Sequence, residues 1–279
     1  MPRLSIGLPV HNGQRYLGDA IRSILVQSHT DLELLVCDNA STDRSLEIAR
    51  RYATLDSRVR VLTSPTNRGA AWNFNRAVAE ASGELFKWAS HDDVLSDHFL
   101  HHTIALLDKR SDAVVAHCET LRLDASSRIA GTYERQPSFD EPRASDRFRS
   151  VIRTPHRCLA VFGVMRLDAL RATPMIGAYT GSDRNLLAEL ALRGPILHVE
   201  RALFARRDHP DASIRKHRDE RARAEWFDPT LRGAAIRPTW RRWLEYASGV
   251  ERAPISAFER ARCHRHLTGW LLGAHQDGP

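Results

Sequence analysis

The run Leu85-Phe86-Lys87-Trp88-Ala89-Ser90-His91-Asp92-Asp93-Val94-Leu95 is a short apolar stretch that ends in two adjacent carboxylates. If residues 85–89 form a buried strand, Asp92 and Asp93 emerge at its carboxyl end, where open α/β sheets place their ligands. Two such acids repel each other, and a divalent cation is the simplest relief. Carboxylate oxygens suit Mg²⁺ or Mn²⁺, and the shells of these ions are often completed by the phosphates of a substrate. Adjacent acids also occur in solvated loops and as helix caps, so the pair needs neighbours before it counts as a site.

The neighbours must come from the elements around it. Residues 4–10 are strand-like, His11-Asn12-Gly13 makes the following turn, and Tyr16, Leu17, Ala20, Ile21, Ile24 and Leu25 recur at helical spacing. Residues 32–37 form a second buried strand that runs into Asp38-Asn39-Ala40-Ser41-Thr42-Asp43. Ser41 or Thr42 is expected to cap the next helix, with Asp43 in its first turn. Residues 59–62 give a third strand, Asn67-Arg68-Gly69 leads into a helix over 70–81, and Ser82-Gly83 stops it before the strand of the acid pair. Strand and helix thus alternate four times, which predicts an α/β fold with a mostly parallel sheet flanked by helices. The turns at 11–13, 38–43, 67–69 and 91–93 then meet at one sheet edge. That convergence gives the acid pair its context.

Composition sets the outer limits. A chain of 279 residues with 42% hydrophobic and 27% charged residues has the make-up of a globular protein with a substantial core. The net charge of +7 suits anionic partners such as nucleotide sugars, nucleic acid or acidic lipid surfaces. Cys37, Cys118, Cys158 and Cys263 are far apart, without zinc spacing, and read as reduced, buried thiols. The first residues lack a signal-peptide core, and no run reaches the roughly 18 apolar residues of a membrane span. A cytoplasmic protein is expected, with peripheral contact to a membrane left open.

The run Leu8-Pro9-Val10-His11-Asn12-Gly13, followed by Tyr16-Leu17, Ala20-Ile21, Ser23-Ile24, Gln27-Ser28 and the 38–43 segment, resembles the opening of family 2 glycosyltransferases of the GT-A fold. Asn67-Arg68-Gly69, Asn75, Ala79, Ala81-Ser82-Gly83 and His91-Asp92-Asp93 continue the likeness in order. It covers about the first 120 residues closely and the stretch to about residue 213 more loosely. The resemblance implies an inverting transferase that moves a sugar from a nucleoside diphosphate (UDP, GDP or dTDP type) to an acceptor hydroxyl, with Mn²⁺ or Mg²⁺. It implies that Pro9, Val10, His11 and Asn12 lie along the nucleotide, that Asp38 bonds the base, and that Asn67 and Arg68 stand near base and phosphates. Asp92 is then the carboxylate near ribose and sugar, and Asp93 the metal ligand. Ser90 stands where many relatives carry a further acid. The resemblance divides the chain into a donor-binding half (1–119), an acceptor-binding half (120–213) and a carboxyl-terminal helical extension (214–279).

Later segments add to it. Residues 96–110 are read as a helix, 113–118 as a strand, 121–146 as an irregular hairpin and loop, and 160–166 as a strand that by resemblance lines the acceptor site. Leu186, Leu187, Leu190 and Ala191 mark a helix that Gly194-Pro195 ends. Asp183, at its amino-terminal end, reads alone as a cap; by resemblance it is the catalytic base. A helix amino terminus lowers a carboxylate's pKa, so an ionised Asp183 is expected. After short strands at 196–199 and 203–205, Arg206-Arg207-Asp208-His209-Pro210-Asp211-Ala212-Ser213 resembles the pattern that closes the catalytic region in the family. There Arg207 is expected to pair with phosphate, and His209 to complete the metal shell or touch the diphosphate. Residues 239–246 and 255–272 read as two helices that pack on the main domain, the second with a basic amphipathic face open to an acidic membrane.

The alternatives fare worse. A nicotinamide-dependent dehydrogenase needs GxGxxG after an early strand, which Pro9-Val10-His11-Asn12-Gly13 is not. A sugar nucleotidyltransferase also wants a glycine-rich, basic loop there. A basic nucleic-acid-binding protein accounts for the charge and predicts salt-sensitive oligonucleotide binding. The resemblance implies no nucleic-acid partner and leaves the acceptor open among saccharide, lipid-linked and small-molecule types.

Overall fold

A computed structural model describes residues 1–217, 219–231 and 238–273. Strands β1 (Leu4–Val10) and β2 (Leu32–Asp38) are buried at every position, the pattern of strands covered on both faces. They pair in parallel, and β3 (Val59–Thr63) and β4 (Leu85–Trp88) extend the parallel block on either side. Helices α1 (Leu17–Leu25), α2 (Ser45–Leu55) and α3 (Ala70–Ala79) are the crossovers. The alternation read from the sequence is therefore present, and the four carboxyl ends face one edge.

Beyond β4 the sheet becomes mixed. Its later members are β5 (Val94–Leu95), β6 (Val115–Leu123), β7 (Ile129–Thr132), β8 (Val164–Arg166) and β9 (Ile196–Arg207), and the order is β3-β2-β1-β4-β8-β6-β9-β5, with β7 on β6. β8 runs antiparallel to β4 and β6, β6 and β9 are parallel, and β5 is antiparallel to β9. Helix α4 (Phe99–Lys109) follows β5.

Several expectations need correction here. The two strands expected at 196–199 and 203–205 are one. Cys118 faces Val199 while Glu119 faces Ala202, so Glu200 and Arg201 form a bulge that interrupts the apolar pattern without ending the strand. The strand expected over 160–166 starts only at Val164. Before it lie a 3-10 turn (Leu159–Phe162) and Gly163, where a Cβ would stand 2.6 Å from the Ala116 carbonyl oxygen. The hairpin expected within 121–146 is present as β6–β7, but the segment is not irregular to its end, since α5 (Ala144–Arg153) starts inside it. The expected capping of α2 by Ser41 or Thr42 is absent, since α2 begins at Ser45 and neither residue caps it.

Helices α6 (Leu167–Arg171) and α7 (Ser182–Arg193) precede β9, and α8 (Ser213–Lys216), α9 (Glu220–Phe227), α10 (Pro238–Arg252) and α11 (Ala257–Gly273) follow it. Tyr246, Val250, Cys263 and Leu267 join the core of α5 and α7, so α10 and α11 pack on the main body as expected. Buried Glu189 of α7 binds Arg252 of α10 at 2.8 Å and Arg193 at 3.0 Å. No helix among the described residues is long and apolar enough to cross a membrane.

One buried carboxylate ties the turn before β4 to the sheet. Glu33 of β2 accepts from Ser5 (2.6 Å), from the Ser82 hydroxyl (2.6 Å) and amide (2.8 Å), and from Arg60 (3.1 Å). Burial alone would raise its pKa, but these bonds outweigh it and hold the group below the usual glutamate value. Its stabilising effect is present above the unfolded pKa and is lost as pH falls through the folded one. Glu33→Ala, which strands buried donors, is expected to cost about 2 kcal/mol and to lower Tm by roughly 5 °C at neutral pH. In thermal melts the gap to wild type should shrink under acid conditions.

Candidate active site

The acid pair stands in a turn pinned at both ends. The Ala89 amide still bonds Gly7 O of β1 (2.8 Å), and β5 pairs with Phe204 and Ala205 of β9. The end of β9 supplies the partners. The Arg207 amide donates to Asp93 Oδ1 at 2.8 Å, its Nε to the Asp92 carbonyl at 2.8 Å, and its guanidinium to Ser127 Oγ at 2.5 Å. His209 Nε2 donates to Asp92 Oδ2 at 2.9 Å, and the Ser90 hydroxyl also binds Asp92. Tyr16 fills the space beneath, with the Arg207 guanidinium 4.2 Å above its ring and the His209 ring edge-on at 4.8 Å.

Burial pushes both carboxyls toward the neutral form, and the two then separate. At Asp92 the His209 hydrogen bond, the charge of His91 and the Ser90 bond overcome burial and hold the pKa well below the carboxylate range. At Asp93, burial and the negative charge of Asp92 push the pKa up. Lys87 of β4, fully buried, donates to Trp88 O at 3.1 Å and to Phe162 O, and burial lowers its ammonium to about 7.

The other strand-end loops are laced together by side chains. The Asn12 amide donates to Ser41 Oγ (3.0 Å), the Thr42 amide to Asn12 Oδ1 (2.8 Å), Gly13 N to Ser45 Oγ (2.8 Å) and Gln14 N to Asp43 Oδ2 (3.0 Å). Asn39 Nδ2 bonds Asn67 Oδ1 at 2.9 Å and Gly69 O at 3.1 Å, and its Oδ1 accepts from the Arg68 amide at 3.0 Å. Ser41 and Asp43 therefore join two loops.

These loops bound a cavity of about 760 Å³, within the size range of small-molecule sites. Pro9, Val10, His11, Asn12, Asn67, Asp92, Asp93, Arg207 and His209 line it, so most of the residues singled out from the sequence meet there. Asp38, Arg68 and Asp183 are not among the lining residues. Asp38 is 1% exposed beneath the loop, with Oδ2 accepting from the Ser41 amide at 3.2 Å and Oδ1 without a partner among the described residues. The Arg68 guanidinium lies over the Trp72 ring at 4.2 Å. Tyr16, Asn73, Phe74, Lys216, His217 and Trp226 also line the cavity. In the sequence Tyr16 reads only as a helix-face apolar residue, and nothing near Trp226 signals a site.

Asp183 occupies the first turn of α7, after Gly181 at φ +88°. Its Oδ1 accepts from the Arg184 amide at 2.8 Å. The 3-10 turn that follows Cys158 ends at Phe162, which lines the cavity. Burial raises the Asp183 pKa against the opposing effects of the Arg184 amide and charge. This reverses the lowering expected from the helix terminus, because desolvation outweighs a partial charge.

No three His, Cys, Asp or Glu side chains among the described residues come together as a metal cage. Asp93 and His209 offer a smaller donor set. Nε2 of His209 is committed to Asp92, while Nδ1 is buried without a partner among the described residues, and an imidazole oriented by a carboxylate in this way is a common metal-ligand arrangement. Two protein ligands fit a cation that takes the rest of its shell from water and phosphate.

Comparison with known proteins agrees with this architecture. The family model for glycosyl transferase family 2 matches residues 5–165. An uncharacterized glycosyltransferase of Haemophilus influenzae is 37% identical over 97 residues, 35% of this chain and 39% of that one. The chain thus matches about two fifths of that relative's length. S. aureus TarS 1–349, solved in complex with UDP-GlcNAc, superposes with a TM-score of 0.68 at 18% identity, over 96% of this chain and 71% of TarS. The mannosyltransferase PcManGT from Pyrobaculum calidifontis, solved with GDP-Man and Mn²⁺, gives a TM-score of 0.58 at 15% identity, over 100% and 76%.

A raised folded-state pKa at Asp183 has a stability consequence. The stability linked to its protonation is full below the unfolded pKa and is lost as pH rises through the folded value. Asp183→Asn, which keeps an acceptor for the Arg184 amide, is expected to match or exceed wild-type Tm at pH 7. That advantage should vanish in acid, as read by melts across pH.

Proposed function

The chain belongs to glycosyltransferase family 2 and has the GT-A fold, and from that premise we propose that it is an inverting glycosyltransferase. In this reading it moves a sugar from a nucleoside diphosphate to an acceptor hydroxyl. The observation that carries it is the buried Asp92–Asp93 pair, braced by Arg207 and His209, on the wall of a cavity bounded by strand-end loops. TarS with UDP-GlcNAc and PcManGT with GDP-Man support a nucleotide-sugar donor, and PcManGT with Mn²⁺ supports a divalent cation.

The proposed roles follow from placement. Pro9, Val10, His11, Asn12 and Asn67 hold the nucleoside. Asp38 acts from below by shaping the 38–43 loop. Asp92, kept ionised by His209, orients ribose and sugar. Asp93 and Nδ1 of His209 would hold Mn²⁺ or Mg²⁺. Bound there, the cation neutralises charge that develops on the departing diphosphate. Arg207, read from the sequence as a phosphate contact, is assigned to positioning, because its guanidinium is occupied by Asp92, Ser127 and Tyr16. Arg68, stacked on Trp72, sets the edge of the base-binding loop.

Asp183 is proposed to take the acceptor proton as the hydroxyl oxygen attacks the anomeric carbon and the bond to the diphosphate breaks on the opposite face. Its raised pKa makes the carboxylate a stronger base once ionised. In the same proposal residues 1–119, joined by Arg207 and His209, serve the donor, the rest of 120–213 serves the acceptor, and α10–α11 support α7.

A thermal-shift screen with UDP, GDP and dTDP, with and without Mn²⁺ or Mg²⁺, tests the donor reading, since a ligand that binds only the folded state raises Tm. One nucleotide is expected to stabilise the protein more when the metal is present; no shift from any of them contradicts the reading. With the stabilising nucleotide's sugar donors, Asp183→Asn should lower turnover by at least about 10²-fold while the nucleotide-induced shift persists. Because the base must be ionised, wild-type kcat/KM is expected to fall as pH drops through a value above the ordinary aspartate range.

A further inference from the structure

Part of the cavity wall comes from the chain that follows the 206–213 pattern, where the sequence signals no site. Ser213, Lys216, His217 and Trp226 of the α8–α9 stretch line the cavity. The stretch starts beside the acid pair, since His209, which binds Asp92, accepts the Ala212 amide at 3.1 Å. It ends against the loop at 67–69. Gly69, at φ +86°, is packed so closely that a Cβ would stand 2.4 Å from the Phe227 carbonyl oxygen and 2.8 Å from Pro229. The α8–α9 stretch therefore crosses the cavity from the acids to the nucleoside loop.

It is also braced. Asp219 caps α9 through the Ala222 amide at 2.8 Å, and Arg223 Nε donates to His217 O at 3.0 Å. The His217 and Trp226 rings stack, with centroids 5.8 Å apart and planes at 27°. Lys216, one residue before that pair, is exposed on the cavity side nearer the acids in the chain.

We propose that α8–α9 is the second half of the donor site. Trp226, backed by His217, is the aromatic wall for the nucleoside, and Lys216 supplies a cation to the diphosphate. This rests on reading the cavity as a nucleoside-diphosphate-sugar site. The chemistry divides along the stretch. Trp226 precedes the residue that touches Gly69, beside Asn67 and Arg68, and a base ring gains from stacking on an indole face. Lys216 lies toward the end that holds Asp93 and His209, where the phosphates would sit, and an ammonium there makes charge-assisted bonds.

Calorimetric titration of the full chain with UDP, GDP, dTDP and inorganic pyrophosphate, each with Mn²⁺, tests the assignment. Trp226→Ala is expected to weaken the bound nucleoside diphosphate roughly tenfold and leave pyrophosphate unchanged, with Trp226→Phe recovering most of the loss. Lys216→Ala is expected to weaken nucleotide and pyrophosphate alike by about fivefold, with Lys216→Arg retaining both. If both alanine variants bind nucleotide as wild type does, the assignment is overturned while the donor reading stands. If Trp226→Ala loses pyrophosphate as fully as nucleotide, Trp226 is a packing residue and the aromatic wall is overturned. A wild-type chain that binds no nucleoside diphosphate removes the donor reading, and this inference with it.

Discussion

Two neighbouring carboxylates held out of water set the main constraint on this molecule. Burial disfavours both charges, and each raises the cost of ionising the other. The fold answers with donors from one distant segment. The Arg207 amide and guanidinium and the His209 imidazole approach the pair from the end of β9. Asp92 is thereby kept ionised, while Asp93 is left short of compensation. That imbalance is the physical reason to look for a cation at Asp93, and it gives the two acids different tasks.

Much of the architecture serves to keep β4 and β9 in register around that pair. Glu33 and Ser5 fix the turn at Ser82-Gly83 that starts β4. β5, only two residues long, ties the exit of the acid turn to β9. Lys87 links β4 to the 3-10 turn through Phe162 O, and Cys158 at the start of that turn is near enough to Asp183 to influence its carboxyl. A chain of contacts thus connects the acid pair with the proposed base, although the two do not share the cavity lining. Helix α10 adds support from outside, since Arg252 holds Glu189 of α7 in its buried position.

The parallel half of the fold was legible because its signals are local. Short, mainly apolar strand runs, helical spacing and Ser-Gly or Asn-Gly punctuation each act within a few residues. The same alternation places Pro9–Asn12, Asn67, Asp92 and Asp93 at one rim without knowledge of any side-chain contact. The mixed half was harder. β9 read as two strands because Glu200 and Arg201 bulge from it, and the 3-10 turn before Gly163 read as strand because its residues are apolar. Long-range packing decided what sequence chemistry could not. Asp183 follows burial rather than the helix terminus, Arg207 is spent on the acid turn, and Trp226 reaches the cavity only because Gly69 admits the chain beside it.

In the proposed reading Asp93 and His209 share one cation with a diphosphate, the protein alone supplying too few ligands to hold it well. The absence of a three-ligand cage among the described residues is consistent with such an arrangement. Titration of Mn²⁺ followed by electron paramagnetic resonance, with and without whichever nucleoside diphosphate raises Tm most, measures this directly. Weak Mn²⁺ binding to the protein alone is expected, with at least about tenfold tighter binding in the presence of the nucleotide and loss of that gain in Asp93→Asn. Tight Mn²⁺ binding without nucleotide, or a nucleotide effect that survives Asp93→Asn, would contradict it.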